Sequence, residues 1–192
     1  MPRIAAPTLH EHRERMLNAL IDAAAAILRS GEALTAGGVT GAVGISRNSL
    51  YRYVDSVDDL KVLVLNQHLP RWTGAVADAL AAEDSPRDQV VAYVRTNLEL
   101  GGPGGEAWLM RMADGIAAQA RRELAGMHEE LARMLSSAVA ATGSPQPALL
   151  DLIVTGIVQA GFARFVAGDD PAEVIDGCVR AAGGVLDAQA GR

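Results

Sequence analysis

A single cysteine, Cys178, excludes an intramolecular disulfide, and its neighbours Val174, Ile175 and Val179 mark it as a small apolar side chain. Aromatic residues make up only 4% of the 192 residues, and Thr, Ile, Tyr and Phe nowhere gather into the alternating runs that announce strands. No apolar run is read as reaching the roughly eighteen residues of a membrane span. The opening stretch MPRIAAPTLHEHRERM lacks the uninterrupted hydrophobic segment of a signal peptide, so a cytoplasmic chain is expected. Catalytic machinery is also missing. There is no H-E-x-x-H, no G-x-S-x-G and no convincing carboxylate pair on one face, and GGPGG at 101–105 has neither Lys nor Thr after it. The proline there removes an N–H, which suits a mobile connector better than a phosphate cradle. His68 and His128 have no second ligand at metal spacing. Neither an enzyme, a metal site nor a cofactor is expected.

What is present is ordinary globular material, 49% hydrophobic and 21% charged, enough for one substantial core or two small domains. Apolar residues recur at helical spacing almost throughout, which predicts an all-α protein. The formal net charge of −6 is unevenly spread. Seven Lys/Arg and seven Asp/Glu lie in residues 1–61, leaving ten basic and sixteen acidic residues beyond. The acidity belongs to the C-terminal part, and the N-terminal part remains open to a polyanionic partner.

Thr8 and Glu11 have capping-box spacing, and Met16, Leu17, Leu20, Ile21, Ala24, Ile27 and Leu28 then share a face, predicting a helix over about 9–29. A second helix is expected between a Thr35 cap and a Gly44 stop, weakened by Gly37, Gly38 and Gly41. Ser46 caps a third, expected to carry Arg47 to Arg52 and to break at Asp55. Ser56, with Asp58 and Asp59 in the first turn, opens a long fourth helix toward Ala82. Further helices are predicted from Ser85–Pro86 to GGPGG, from Glu106 to about Thr142 with an interruption near Gly115, over 148–167, and from Asp170–Pro171 onward.

Two short helices joined by a glycine turn, the second starting on serine, have the spacing of a helix-turn-helix. The residues on that second helix suit base and phosphate contacts. Arginine bonds guanine bidentately, asparagine does so for adenine, and Ser, Thr and Tyr hydroxyls serve phosphate oxygens. Val39, Val43, Ile45, Leu50 and Val54 would form the small core between the helices. The bland alternative is a solvated amphipathic helix in an ordinary bundle.

Leu34 to Leu60 resembles the DNA-binding signature of the TetR family of transcriptional regulators. Leu34-Thr35, Val39, Gly44-Ile45-Ser46, Ser49-Leu50-Tyr51, Tyr53, Ser56 and Leu60 hold the family's places in register. Thr40 stands in place of the usual alanine, Val54 of phenylalanine, and Val57 of a lysine that contacts phosphate. The resemblance implies a three-helix DNA-binding domain, 1–56, and a helical regulatory and dimerisation domain, 57–192. It places Thr35, Ser46, Arg47, Asn48, Ser49, Tyr51, Arg52, Tyr53 and Lys61 at operator DNA. It further implies a homodimer on a palindromic operator, acting as a repressor, with an unidentified small-molecule effector.

Residues 148–167 are apolar nearly all round, more than one stripe facing a monomer core requires, which independently predicts a dimer. Ile153, Ile157, Val158, Gly161 and Phe165, with Cys178, Val179, Ala182 and Leu186 of the last helix, are the expected interface. Trp72, Tyr93, Asn97, Trp108, Met112, Met127, Met134 and Phe162 could line an apolar ligand cavity, and equally suit a core. Two alternatives stand beside a regulator: a helical small-molecule-binding or scaffold protein without operator binding, and an enzyme on a helical fold.

Overall fold

The computed structural model of the chain describes residues 9–112 and 118–190. They form nine helices and, among the described residues, no strand: α1 (Leu9–Ser30), α2 (Ala36–Val43), α3 (Arg47–Leu50), α4 (Val57–Ala81), α5 (Pro86–Gly101), α6 (Ala107–Met112), α7 (Ala118–Ala141), α8 (Pro147–Ala167) and α9 (Pro171–Ala190). The expected capping by Thr8 and the break near Gly115 fall outside the described residues.

Local chemistry accounts for most boundaries. The side chains of Ser56, Ser85 and Asp170 accept hydrogen bonds from the N–H groups of Asp59, Asp88 and Glu173, three residues on, which opens α4, α5 and α9. Pro86, Pro147 and Pro171 occupy first-turn positions where their missing N–H costs no helical bond. Pro70 is different, because it lies inside α4. It is exposed, so the missing bond falls on the solvent side and the helix runs on to Ala81.

The first three helices pack together around Leu20, Ala24, Val39 and Leu50, all with at most 0% exposure, and α1 also packs on α4. Leu50 matters most for α3, since four residues cannot hold a helix without tertiary contacts. In the remainder, α5 lies against α4, α7, α8 and α9, while α4 also packs on α7. Helix α4 therefore contributes both to the core of the first three helices, through Leu60 and Val64, and to the larger bundle, through Trp72 and Val76.

Two contacts fix α5 against the C-terminal pair. The Arg87 guanidinium donates to both carboxylate oxygens of Asp187 on α9, at 2.6 and 2.9 Å. Gly161 on α8 allows a close approach, since a Cβ there would lie 2.5 Å from a methyl of Leu98.

Helix α8 corrects the reading of apolar runs, because it is long and apolar enough by length and composition to cross a membrane. Asp151, Thr155, Gln159 and Arg164 interrupt the run in sequence but are too few to lower its overall hydropathy. The helix packs on α5, α7 and α9, yet only 22% of its most apolar window is buried, so much of its surface is left uncovered by the described residues.

Candidate nucleic-acid interface and internal cavity

The turn between α2 and α3 is built by three small residues. Thr35 Oγ1 accepts from Gly38 N at 3.1 Å and starts α2. Gly44 takes a left-handed conformation, φ 77°, and its N–H returns to the Thr40 carbonyl, which ends α2 and redirects the chain. Ser46 then accepts from the Ser49 N–H at 3.3 Å, while the two serine hydroxyls meet at 2.9 Å. Thr40 fits the buried place usually held by alanine because its hydroxyl donates to the Ala36 carbonyl at 2.8 Å. Val54 is buried and Val57 packs against the core, so the two remaining departures serve packing.

This geometry leaves Thr35, Ser46, Arg47, Asn48, Tyr51 and Arg52 exposed and Ser49 half-buried. Helix α3 stops at Leu50 and not near Asp55, so Tyr51, Arg52 and Tyr53 occupy a turn held by N–H bonds to the Ser49 and Leu50 carbonyls. Lys61 is half-buried, and its amine is paired with Asp58 at 2.8 Å. A phosphate would have to compete with that carboxylate. The sequence reading missed Arg13, whose guanidinium lies over the Tyr53 ring at 5.7 Å and brings a cation from α1 to this surface. Only the concentration of basic residues before Met16 hinted at it.

A second feature lies in the larger bundle. A cavity of about 440 Å³ gathers Trp72, Tyr93, Asn97, Met127 and Phe162, five of the eight side chains expected to line one. Trp108 and Met134 lie elsewhere, and the Met112 side chain is outside the described residues. Trp108 packs edge-on to His68, with ring centroids 5.0 Å apart, and carries the Arg29 guanidinium over its face at 5.2 Å. Met134 borders a separate cleft with Leu80 and Ala138. The cavity's other wall comes from α8, where Thr155, Val158 and Gln159 recur with Phe162 at helical spacing. That spacing was visible in the sequence, but α8 is apolar on every side and its faces could not be told apart.

Within the cavity wall, Trp72 Nε1 donates to Asn97 Oδ1 at 3.0 Å, and Asn97 Nδ2 donates to the Tyr93 carbonyl at 2.9 Å. Burial pushes the Tyr93 phenol up to about 12, with a smaller contribution from the negative charge of Asp151. It is a neutral hydroxyl at physiological pH.

The expected dimer residues divide into two groups. Val158, Gly161, Ala182 and Leu186 are buried within the chain, Val158 at the cavity and Gly161 against Leu98, so they offer little free surface. Ile153, Ile157, Phe165, Cys178 and Val179 are half-buried. The large exposed apolar side chains of α8 are Leu149, Leu152 and Val166, at 47%, 69% and 90%, and none of the three is among the residues expected at the interface. Cys178 is close to the Ile157 carbonyl, with Sγ 3.7 Å away, and burial raises its pKa.

The sequence matches no protein-family model and no curated protein. Solved structures do match. A TetR transcription regulator from Haloarcula marismortui shares 18% identity and superposes with a TM-score of 0.74 over 92% of this chain and 98% of its own. A TetR-family transcriptional regulator from Streptomyces coelicolor shares 19% identity, with a TM-score of 0.74 over 92% and 96% of the two chains. AibR, solved with isovaleryl coenzyme A and operator DNA, shares 16% identity, with a TM-score of 0.66 over 85% and 96%. The chain has the all-α fold of TetR-family transcriptional regulators, and at these identities the likeness is one of fold.

Proposed function

We propose that the chain is a ligand-responsive transcriptional regulator that reads a palindromic operator as a homodimer, acting as a repressor in the cytoplasm. The observation that carries this reading is the turn centred on Gly44 and Ser46, which leaves Arg47, Asn48, Tyr51 and Arg52 exposed together while Leu50 anchors α3 from beneath. Such a short helix is held to the body by one buried side chain and has its polar residues free. That arrangement serves recognition of base edges and phosphates better than it serves packing. AibR, a protein of this fold, binds both an acyl-coenzyme A and operator DNA.

Residues 1–56 would form the reading head and 57–192 the regulatory and dimerisation body. The second copy would sit on α8, where Leu149, Leu152 and Val166 are exposed beside the small exposed residues Gly156, Ala160 and Ala163. An apolar stripe with small residues lets a partner helix approach closely and accounts for the unburied surface of α8.

Coupling would run through α4. Trp72 lines the cavity, His68 lies one turn earlier against Trp108 and 3.3 Å from the Glu106 carboxylate, and Leu60 is buried under the head. The Arg29 guanidinium of α1 also lies over the Trp108 ring. A ligand that displaces Trp72 would thereby tilt the head, so that two reading helices no longer match successive major grooves about 34 to 36 Å apart. Selection of DNA sites from a random pool tests the core of the reading. An enriched inverted repeat is expected, and recovery of no preferred sequence would overturn it.

A further inference from the structure

The cavity between α4, α5, α7 and α8 has polar groups of two kinds, and their difference defines what it binds. The side-chain polar atoms of Trp72 and Asn97 in its deep wall are committed, while the Tyr93 hydroxyl has no hydrogen bond among the described residues. The Trp72 indole N–H is held by Asn97, and the Asn97 amide is held by the Tyr93 carbonyl, so both buried side chains present apolar surface inward. Thr155 and Gln159 on α8, one turn apart, have no side-chain hydrogen bond among the described residues. Thr155 is half-buried and Gln159 exposed, which places both toward the rim. None of the described lining residues is Lys, Arg, Asp or Glu, and the one titratable base among them, His128, is exposed. A charged ligand would lose its hydration in the interior without gaining a buried counter-charge, whereas an uncharged one would lose little.

We infer that this cavity takes an uncharged, largely apolar ring-containing molecule, its hydrocarbon end against Trp72 and Phe162 and a single hydroxyl or carbonyl oxygen at Thr155 and Gln159. This rests on the effector-binding part of the proposed function. The volume of about 440 Å³ suits a small ligand, at the lower end of the roughly 300 to 1,000 Å³ typical of such sites. The neutral Tyr93 phenol adds no positive charge, and Asp151 nearby disfavours an anion further. A bound acyl-coenzyme A would find no Lys or Arg among these lining residues for its phosphates.

The test is calorimetric titration of the full-length protein with naphthalene and biphenyl probes, each carrying a methyl, hydroxymethyl, carboxylate or aminomethyl group. Hydroxymethyl probes are expected to bind at least about tenfold more tightly than both charged members of the same skeleton. Thr155→Val should abolish the advantage of hydroxymethyl over methyl while leaving the methyl probe unaffected. Ala132→Trp, a substitution at an exposed rim position, should weaken all neutral probes. Equal or tighter binding of a carboxylate or ammonium probe overturns the inference, as does a Kd above about 1 mM for every neutral probe. Neutral binding untouched by either substitution places the ligand elsewhere and also overturns it. A parallel titration with selected operator DNA keeps the two readings apart: neutral binding without any DNA preference removes the regulator and leaves the ligand class standing.

Discussion

Two glycine-to-alanine substitutions separate packing from ligand binding. At Gly161 a Cβ would stand 2.5 Å from one Leu98 methyl, 3.2 Å from the other and 3.2 Å from Cys178 Sγ. Leu98 is fully buried, so it has no free space into which to retreat. Overpacking of this kind costs about 1 to 3 kcal/mol, and the better helix propensity of alanine returns about 1 kcal/mol. The net is a loss of about 0 to 2 kcal/mol, or a fall in Tm of up to about 8 °C for a chain of this size. At Gly101 the added Cβ would meet the Phe162 ring at 2.4 and 2.8 Å and Trp72 at 2.9 Å. Those contacts are stronger on paper, but Phe162 is half-buried and borders the cavity, so its ring has somewhere to go. Gly101→Ala should therefore cost less stability than Gly161→Ala and should close part of the cavity. Thermal unfolding of both variants, with calorimetry of a neutral probe, measures the two effects. A Gly101→Ala protein that unfolds earlier than Gly161→Ala while retaining full ligand affinity would refute the reasoning.

The remaining predictions concern the reading surface, the dimer and the brace. Alanine at Arg47, Asn48 or Tyr51 should cost about 1 to 3 kcal/mol of discrimination at one operator position wherever the side chain meets a base, as read by site selection; unchanged preference in all three would move the reading surface elsewhere. Leu152→Asp should yield a monomer in sedimentation, because Leu152 is 69% exposed on the face assigned to the second copy, and a wild-type monomer at micromolar concentration would remove that face's role. The Asp187 carboxyl is held below its usual range first by its hydrogen bond from Arg87, so the brace contributes above the unfolded-state pKa and is lost as pH falls through the lowered value. Asp187→Asn should accordingly lower Tm slightly at neutral pH, and the difference should begin to shrink as pH falls below about 4 and vanish once it is below the lowered Asp187 value; a difference that grows in acid would reverse the assignment. A ligand that releases operator DNA must lose affinity when operator is bound, by the same factor, about 5- to 150-fold for typical coupling.

The order of helices and most of their ends follow from local chemistry, so the chain itself determined them. Thr35, Ser46, Ser56 and Ser85 cap through their own side chains, and Gly44 turns because glycine adopts a positive φ without a Cβ clash. The exposed residues of α3 were likewise accessible to inspection, since a capped helix with one apolar side chain has only one face to bury. Its length was not. Tyr51 to Tyr53 have acceptable helix formers, and it is the packing of Tyr53 and Val54 against the core that stops α3 at Leu50. Tertiary structure alone decided the faces of α8, where apolar residues on every side give periodicity nothing to select. Val158 and Gly161 turn inward because α5 supplies Asn97 and Leu98 beside them, whereas Leu152 and Val166 remain outside because no described element covers them. The cavity has the same origin: Trp72, Tyr93, Met127 and Phe162 lie far apart in the chain, and only the crossing of four helices brings them to one space.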